Sequence, residues 1–169
     1  MKKRMLIGRF QPFHNGHLTA IKTLLKKSGE LVVVIGSSED FMSPENPFTS
    51  GERLEMMRLA FSKSELSRLI FVPIRDVNDN SIWVDHVLSQ VPAIDEVYSN
   101  NQLVKMLFSR HGVMVHSTTL KDRGNLEGTN IRILIAKADH SWKKLMPPKV
   151  AKFLDQIEAE KRLSKIIRV

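Results

Sequence analysis

Gly8-Arg9-Phe10-Gln11-Pro12-Phe13-His14-Asn15-Gly16-His17 follows the apolar run Met5-Leu6-Ile7 and precedes a stretch in which Leu18, Ile21, Leu24 and Leu25 recur at helical spacing. The run reads as a buried strand and the recurring apolar residues as a helix, so the segment between them is a strand-to-helix turn. At such a turn the unpaired backbone N–H groups and the positive end of the helix dipole face whatever anion enters the crevice. Gly16 lets a phosphate approach the backbone closely. His14 and His17, three residues apart, can turn both imidazoles toward one group and donate hydrogen bonds as charge develops on it. Two other readings stay open: one histidine caps the helix while the other packs in the core, or the pair ligates zinc. Against zinc, the chain has no cysteine, and no histidine or carboxylate at ligand spacing follows on the first helix before Glu30.

Outward from this turn, strands and helices alternate. Leu31 to Ile35, bounded by Gly29 and Gly36, is a second buried strand. Ser37 to Phe48, with Pro44 and Pro47, is a loop, and Ser50-Gly51-Glu52-Arg53 opens a helix carrying Leu54, Met57, Leu59, Ala60 and Phe61. Leu69 to Ile74 is a third strand, Asp76 to Ser81 a turn, and Ile82 to Gln90 a helix that stops before Pro92. Glu96 to Tyr98 predicts a fourth strand, Gln102 to Ser109 a helix, and Val113 to Val115 a fifth strand after Gly112. Thr118 to Gly128 reads as irregular, Thr129 as the cap of a helix to about Ala138, and Pro147-Pro148 as the entry to a last helix through Ile157. Strands separated by helix-length segments imply βαβ units, hence an α/β chain with a doubly wound parallel sheet. Ligands of such sheets bind beyond the carboxyl ends of the strands, and His14 falls at one of those ends.

Composition sets the class. The 169 residues, 42% hydrophobic and 26% charged, suit one globular domain with a real core. The longest apolar stretch, Leu31 to Ile35, is too short to span a membrane. Met1-Lys2-Lys3-Arg4 resembles the start of a signal peptide, but Arg9 interrupts the apolar part, so a cytoplasmic protein is expected. A net charge of +8 raises the possibility of nucleic-acid binding. The basic residues are scattered, however, with small clusters at Lys143-Lys144 and at Lys161-Arg162, Lys165 and Arg168, and aromatic residues do not interleave with them. A small anionic substrate accounts for the excess equally well.

Three further constellations carry chemistry. A hydroxyl residue before an acidic one in Asn46-Pro47-Phe48-Thr49-Ser50-Gly51-Glu52-Arg53 is a capping signal, and a capped helix is its plain reading. Glu127-Gly128-Thr129-Asn130-Ile131-Arg132 places a glycine, a hydroxyl and an arginine at a helix start, an arrangement able to hold a second phosphate. Asn78-Asp79-Asn80-Ser81-Ile82-Trp83 sets an amide turn before a tryptophan, which suits recognition of a polar ring; core packing of Trp83 is the equal alternative.

The segments 8–17, 46–53 and 128–132, in this order, resemble the nucleotidyltransferases with the H-x-G-H signature, and most closely the archaeal-type nicotinamide-nucleotide adenylyltransferases. The resemblance extends through Pro73 to Val87 and Val97-Tyr98-Ser99-Asn100, nearly the whole chain. It implies a single Rossmann-like nucleotidyltransferase domain over 1–169, with a helical C-terminal extension from about 141. The implied reaction joins nicotinamide mononucleotide to ATP, giving NAD and pyrophosphate with Mg²⁺. By that resemblance His14, His17 and Arg132 would be catalytic. Gly8, Arg9, Phe10, Gly16, Ser38, Gly128, Thr129 and Arg132 would hold ATP and its phosphates, and Asn80 and Trp83 the nicotinamide nucleotide. No protein metal ligand is implied, nor a specific nucleic acid or membrane partner; a homo-oligomer is, with a hexamer as one form. Two departures bear on phosphate affinity: Glu45 stands where relatives often carry a basic residue, and Arg132 is followed by Ile133-Leu134 rather than by further arginine.

Other H-x-G-H enzymes adenylylate phosphopantetheine or flavin mononucleotide, or transfer CMP to alcohol phosphates, and Asn80 and Trp83 count against them. Class I aminoacyl-tRNA synthetases need a lysine-rich K-M-S-K-S-like loop, whereas Lys105-Met106 is followed by Leu107-Phe108. A basic NAD-linked nucleic-acid-binding regulator would need a helix-turn-helix segment for which no length remains. Walker A and G-x-G-x-x-G motifs are absent, which removes kinase and dehydrogenase readings.

Overall fold

A computed structural model describes residues 2–118 and 126–167. Its elements run β1 (Arg4–Gly8), α1 (Asn15–Leu25), β2 (Leu31–Ile35), α2 (Ser50–Ala60), α3 (Lys63–Leu66), β3 (Leu69–Pro73) and α4 (Trp83–Ser89). They continue β4 (Glu96–Tyr98), α5 (Gln102–Arg110), β5 (Val115–His116), α6 (Gly128–Ala136), a 3₁₀ turn (His140–Leu145), α7 (Pro148–Gln156) and α8 (Ala159–Ile166). Among the described residues no helix is long and apolar enough to cross a membrane. Most of the stretch expected to be irregular, 119–125, and Arg168 of the basic cluster lie outside the described residues.

The chain forms two compact units, each assembled from three chain segments. The sheet unit takes 2–9, 20–39 and 64–118 of the described residues. Its five strands are all parallel, in the order β3-β2-β1-β4-β5. The winding runs outward from β1 through β2 and β3, then restarts on the other side of β1 with β4 and β5. The switch therefore lies between β1 and β4, the place where open parallel sheets bind ligands. Gly8 is the last residue of β1. β2 is buried along its whole length, as its unbroken apolar sequence leads one to expect of an inner parallel strand. Met5, Ile7, Val32, Val34 and Val97, alternate residues of neighbouring strands, share one core with Val84 and Val87 of α4 and Val104, Leu107 and Phe108 of α5.

The helical unit takes 10–19, 40–63 and 126–167 of the described residues. Phe13, Phe48, Met56, Met57, Ile131, Ile135, Trp142, Val150, Leu154 and Leu163 are all buried in it.

Three local expectations are corrected. The fifth strand is Val115–His116 rather than 113–115, because Gly112 (φ 71°) and Val113 belong to the end of α5: Val113 N–H donates to Phe108 O at 3.0 Å, a helix-closing bond. The helix near Thr129 begins two residues earlier, at Gly128 with Glu127 at the N-cap, so Thr129 is inside it rather than capping it. Beyond Pro147 there are two helices, divided at Glu158, whose φ of 52° is left-handed; hydrophobic periodicity does not announce that break.

Candidate active site

In the helical unit the two signature histidines form a stacked pair, with ring centroids 3.6 Å apart and 27° between planes. Each Nδ1 accepts a backbone N–H: His14 from Gly16 at 3.1 Å, and His17 from His14 at 3.3 Å. An imidazole whose Nδ1 accepts carries its proton on Nε2, so each ring is a neutral Nε2–H donor. Burial pushes the His14 imidazole down to about 4. His17 is driven well below its ordinary value, first by burial and then by His14. Its walls are Phe10, edge-on at 4.8 Å, and Phe13 at 5.7 Å. Phe10, 2% exposed, holds a left-handed backbone (φ 54°) that a bulky L-residue adopts only where its surroundings impose it. Gly16, in the first turn of α1, supplies the backbone donor that fixes His14.

The segment around Arg132 locks onto this loop. Its guanidinium donates to Gln11 O at 2.8 Å, Pro44 O at 2.8 Å and Thr129 Oγ1 at 3.2 Å. A Cβ on Gly128 would stand 3.0 Å from Gln11 O and 3.2 Å from Arg132 Nη1, so a larger residue would require these neighbours to give by a few tenths of an ångström. Thr129 thus serves as an acceptor for Arg132 instead of a cap. Glu45 is exposed beside Pro44.

Gln11, which sequence reasoning passed over, is 4% exposed. Its amide accepts Phe48 N–H at 3.0 Å and donates to Phe48 O at 2.8 Å. This joins the histidine segment to the Asn46–Arg53 stretch. There Thr49 caps α2 in a full capping box with Glu52. Glu52 also takes both arms of Arg162 at 2.7 Å. Burial raises the Glu52 carboxyl, but bonds from Arg162 and Thr49 pull it below the usual carboxylate range. Arg53 is fully buried. The signal for Gln11 was its place in the motif, a polar residue among apolar ones.

In the sheet unit, Gly8 O accepts Gly36 N–H at 3.0 Å, and Arg9 is exposed just past β1. Ser38 N–H donates to Ile74 O at 3.1 Å, which ties the loop after β2 to the end of β3. Its neighbours Ser37 and Glu39 both bond Asp76: Ser37 Oγ to the carboxylate at 2.5 Å, and Glu39 to the backbone N–H at 2.9 Å. The same carboxylate takes Trp83 Nε1–H at 3.3 Å. Trp83 packs edge-on against Phe108 at 5.9 Å, so the ring is part core and part accessible. Asn80 is exposed on the preceding turn, which Asp79 closes by accepting Ser81 N–H at 2.8 Å.

The family pattern of cytidylyltransferase-like proteins matches residues 5–134. The chain is 40% identical over 161 residues to the nicotinamide-nucleotide adenylyltransferase of Picrophilus torridus, covering 95% of each. It is likewise 40% identical over 169 residues to that of Archaeoglobus fulgidus, covering 97% of each. The chain belongs to the cytidylyltransferase-like family, among its nicotinamide-nucleotide adenylyltransferases. The fold agrees. A crystal structure of a bifunctional NMN adenylyltransferase/ADP ribose pyrophosphatase from Francisella tularensis, complexed with AMP and a Mn ion, superposes with a TM-score of 0.79 at 22% identity. It covers 98% of this chain, which spans 52% of that longer one. In this member of the adenylyltransferase family, the stacked neutral histidines and the Gln11 clamp are the parts of the signature that geometry adds to sequence.

Proposed function

We propose that the protein transfers the adenylyl group of ATP to nicotinamide mononucleotide, forming NAD and releasing pyrophosphate. The observation that carries this reading is the pair of neutral Nε2–H donors, held by backbone N–H groups at the start of α1, in a chain of this family. A phosphate oxygen of the mononucleotide attacks the α-phosphorus of ATP, the bond to the β-phosphate oxygen breaks, and pyrophosphate leaves with the electron pair. The nucleophile is already an anion, so no general base is required; alignment and charge stabilisation suffice. His14 and His17 donate to the phosphates without moving a proton. Arg9 and Arg132 add positive charge for the triphosphate and the leaving pyrophosphate, and Arg132 also shapes the loop through Gln11. Gly8, Phe10, Gly16, Ser38, Gly128 and Thr129 complete the ATP side. Asn80 reads the carboxamide, and the accessible part of Trp83 stacks on nicotinamide. Mg²⁺ enters with ATP as the metal–nucleotide substrate. We place the reaction in the cytoplasm, in a homo-oligomer.

The test is an assay with ATP and Mg²⁺ offered with nicotinamide mononucleotide, phosphopantetheine or flavin mononucleotide in turn, scored for pyrophosphate and the adenylylated product. NAD is the expected product; adenylylation of another acceptor alone would overturn the substrate. In the same assay His17→Ala should lower kcat by roughly 10² or more, as loss of a transition-state donor does. An unchanged kcat in the folded variant would remove His17 from that role.

A further inference from the structure

Arg162, on α8, is 110 residues from Glu52, yet the two make a bidentate bond with both arms at 2.7 Å. Neither side chain is a surface group: they are 17% and 19% exposed. The same guanidinium donates to Pro47 O at 3.3 Å and lies 5.7 Å over the Phe48 ring. Phe48 is the residue whose backbone N–H and C=O are both held by Gln11, three residues before His14. α8 itself is anchored, because Leu163 is fully buried and Glu160 accepts the indole N–H of buried Trp142 at 3.2 Å.

We infer that Arg162 is a positioning residue for the histidine loop, fixing through Glu52, Pro47 and Phe48 the two backbone groups that hold Gln11. Gln11 has two holders. Arg132 takes its carbonyl, and the Phe48 backbone takes its amide. The first sits on α6 and the second depends on the Asn46–Arg53 stretch, which Arg162 pins from the side. A planar fork is needed for this, since one group must reach two carboxylate oxygens and a carbonyl while stacking on a ring; an ammonium cannot do so. A guanidinium so placed sets where His14 and His17 sit without touching substrate. Misplacing a reacting group by a fraction of an ångström affects the transition state more than binding.

This inference rests on the histidines being the phosphate-facing donors. The experiment uses the full-length chain with Arg162→Met, Arg162→Lys and Glu52→Gln, and with His17→Ala as the reference. Expected for Arg162→Met, assayed well below its melting temperature, is a kcat lowered roughly tenfold or more, in line with the cost of misplaced groups. KM for ATP and for the mononucleotide should stay near the parent values. Arg162→Lys should recover little, and added guanidinium ion should restore part of the Arg162→Met activity. The imidazole ¹⁵N resonances of His14 and His17 should move in Arg162→Met and, by less, in Glu52→Gln. If Arg162→Met fails to fold, Arg162→Lys and Glu52→Gln carry the same two readouts. A lowered melting temperature with unchanged kcat and unchanged histidine resonances would reduce Arg162 to scaffold and overturn the inference. Should His17→Ala leave kcat intact while Arg162→Met lowers it, the reading of the histidines falls instead.

Discussion

Two imidazoles stacked at 3.6 Å cannot both be cations at modest cost, and this pair is arranged so that neither has to be. With each Nδ1 accepting a backbone N–H, both rings donate through Nε2 while neutral. That arrangement makes stability depend on pH. The His14 imidazole is lowered from an ordinary 6.5 to about 4, so between those values the unfolded chain binds a proton that the folded chain refuses. Stability is therefore complete above pH 6.5 and falls as the pH drops toward 4, with a contribution from His14 of about 3 kcal/mol once the whole window is crossed. His14→Gln should flatten that part of the curve. Urea unfolding of parent and variant across the window measures it, and equal slopes would refute the assignment. The identities of these histidines were legible in the motif, but their tautomer was not, because it depends on two backbone N–H groups that spacing does not place. The partner of Arg162 was not legible for the same kind of reason. In sequence Arg162 is one of a small basic cluster, and only tertiary structure brings Glu52 to it.

At the scale of elements, two hydroxyl residues near helix starts separate cleanly. Thr49 caps α2, accepting Glu52 N–H at 3.1 Å, whereas Thr129 lies inside α6 and accepts from Arg132. Thr49→Ala should cost about 1 kcal/mol. That corresponds to a fall in melting temperature of about 2 to 4 °C for a chain of this size, read by calorimetry. A fall much larger than this would show that the Glu52–Arg162 bond goes with the cap. The inner strands were readable because burial on both faces favours an unbroken apolar run, as at Leu31 to Ile35. β5 was not, because it is a two-residue edge strand, and Val113, two residues before it, completes the end of α5. The division between α7 and α8 turns on one left-handed residue, Glu158, with no glycine or proline to mark it.

For the whole molecule, the net charge of +8 overstates what a polyanion would meet. Arg68 donates to the carbonyls of Leu25, Ser28 and Gly29, so this cation is committed to neutral groups of the fold. Lys2 and Arg4 share Glu96, Lys22 meets Glu65, Lys143 meets Asp155 and Lys161 meets Glu158. The remaining basic residues are scattered along the chain, without the long basic run or interleaved aromatic residues of a nucleic-acid surface. Duplex DNA should accordingly bind weakly, without regard to sequence, and with an affinity that falls steeply with salt, since counterion release is the only driving term left. Fluorescence anisotropy with a labelled duplex and its scrambled counterpart, at low and at physiological salt, measures this directly. Nanomolar binding to one duplex at physiological salt, with the scrambled sequence rejected, would mean that the dispersed charges assemble into a reading surface and that the protein has a partner besides its nucleotides.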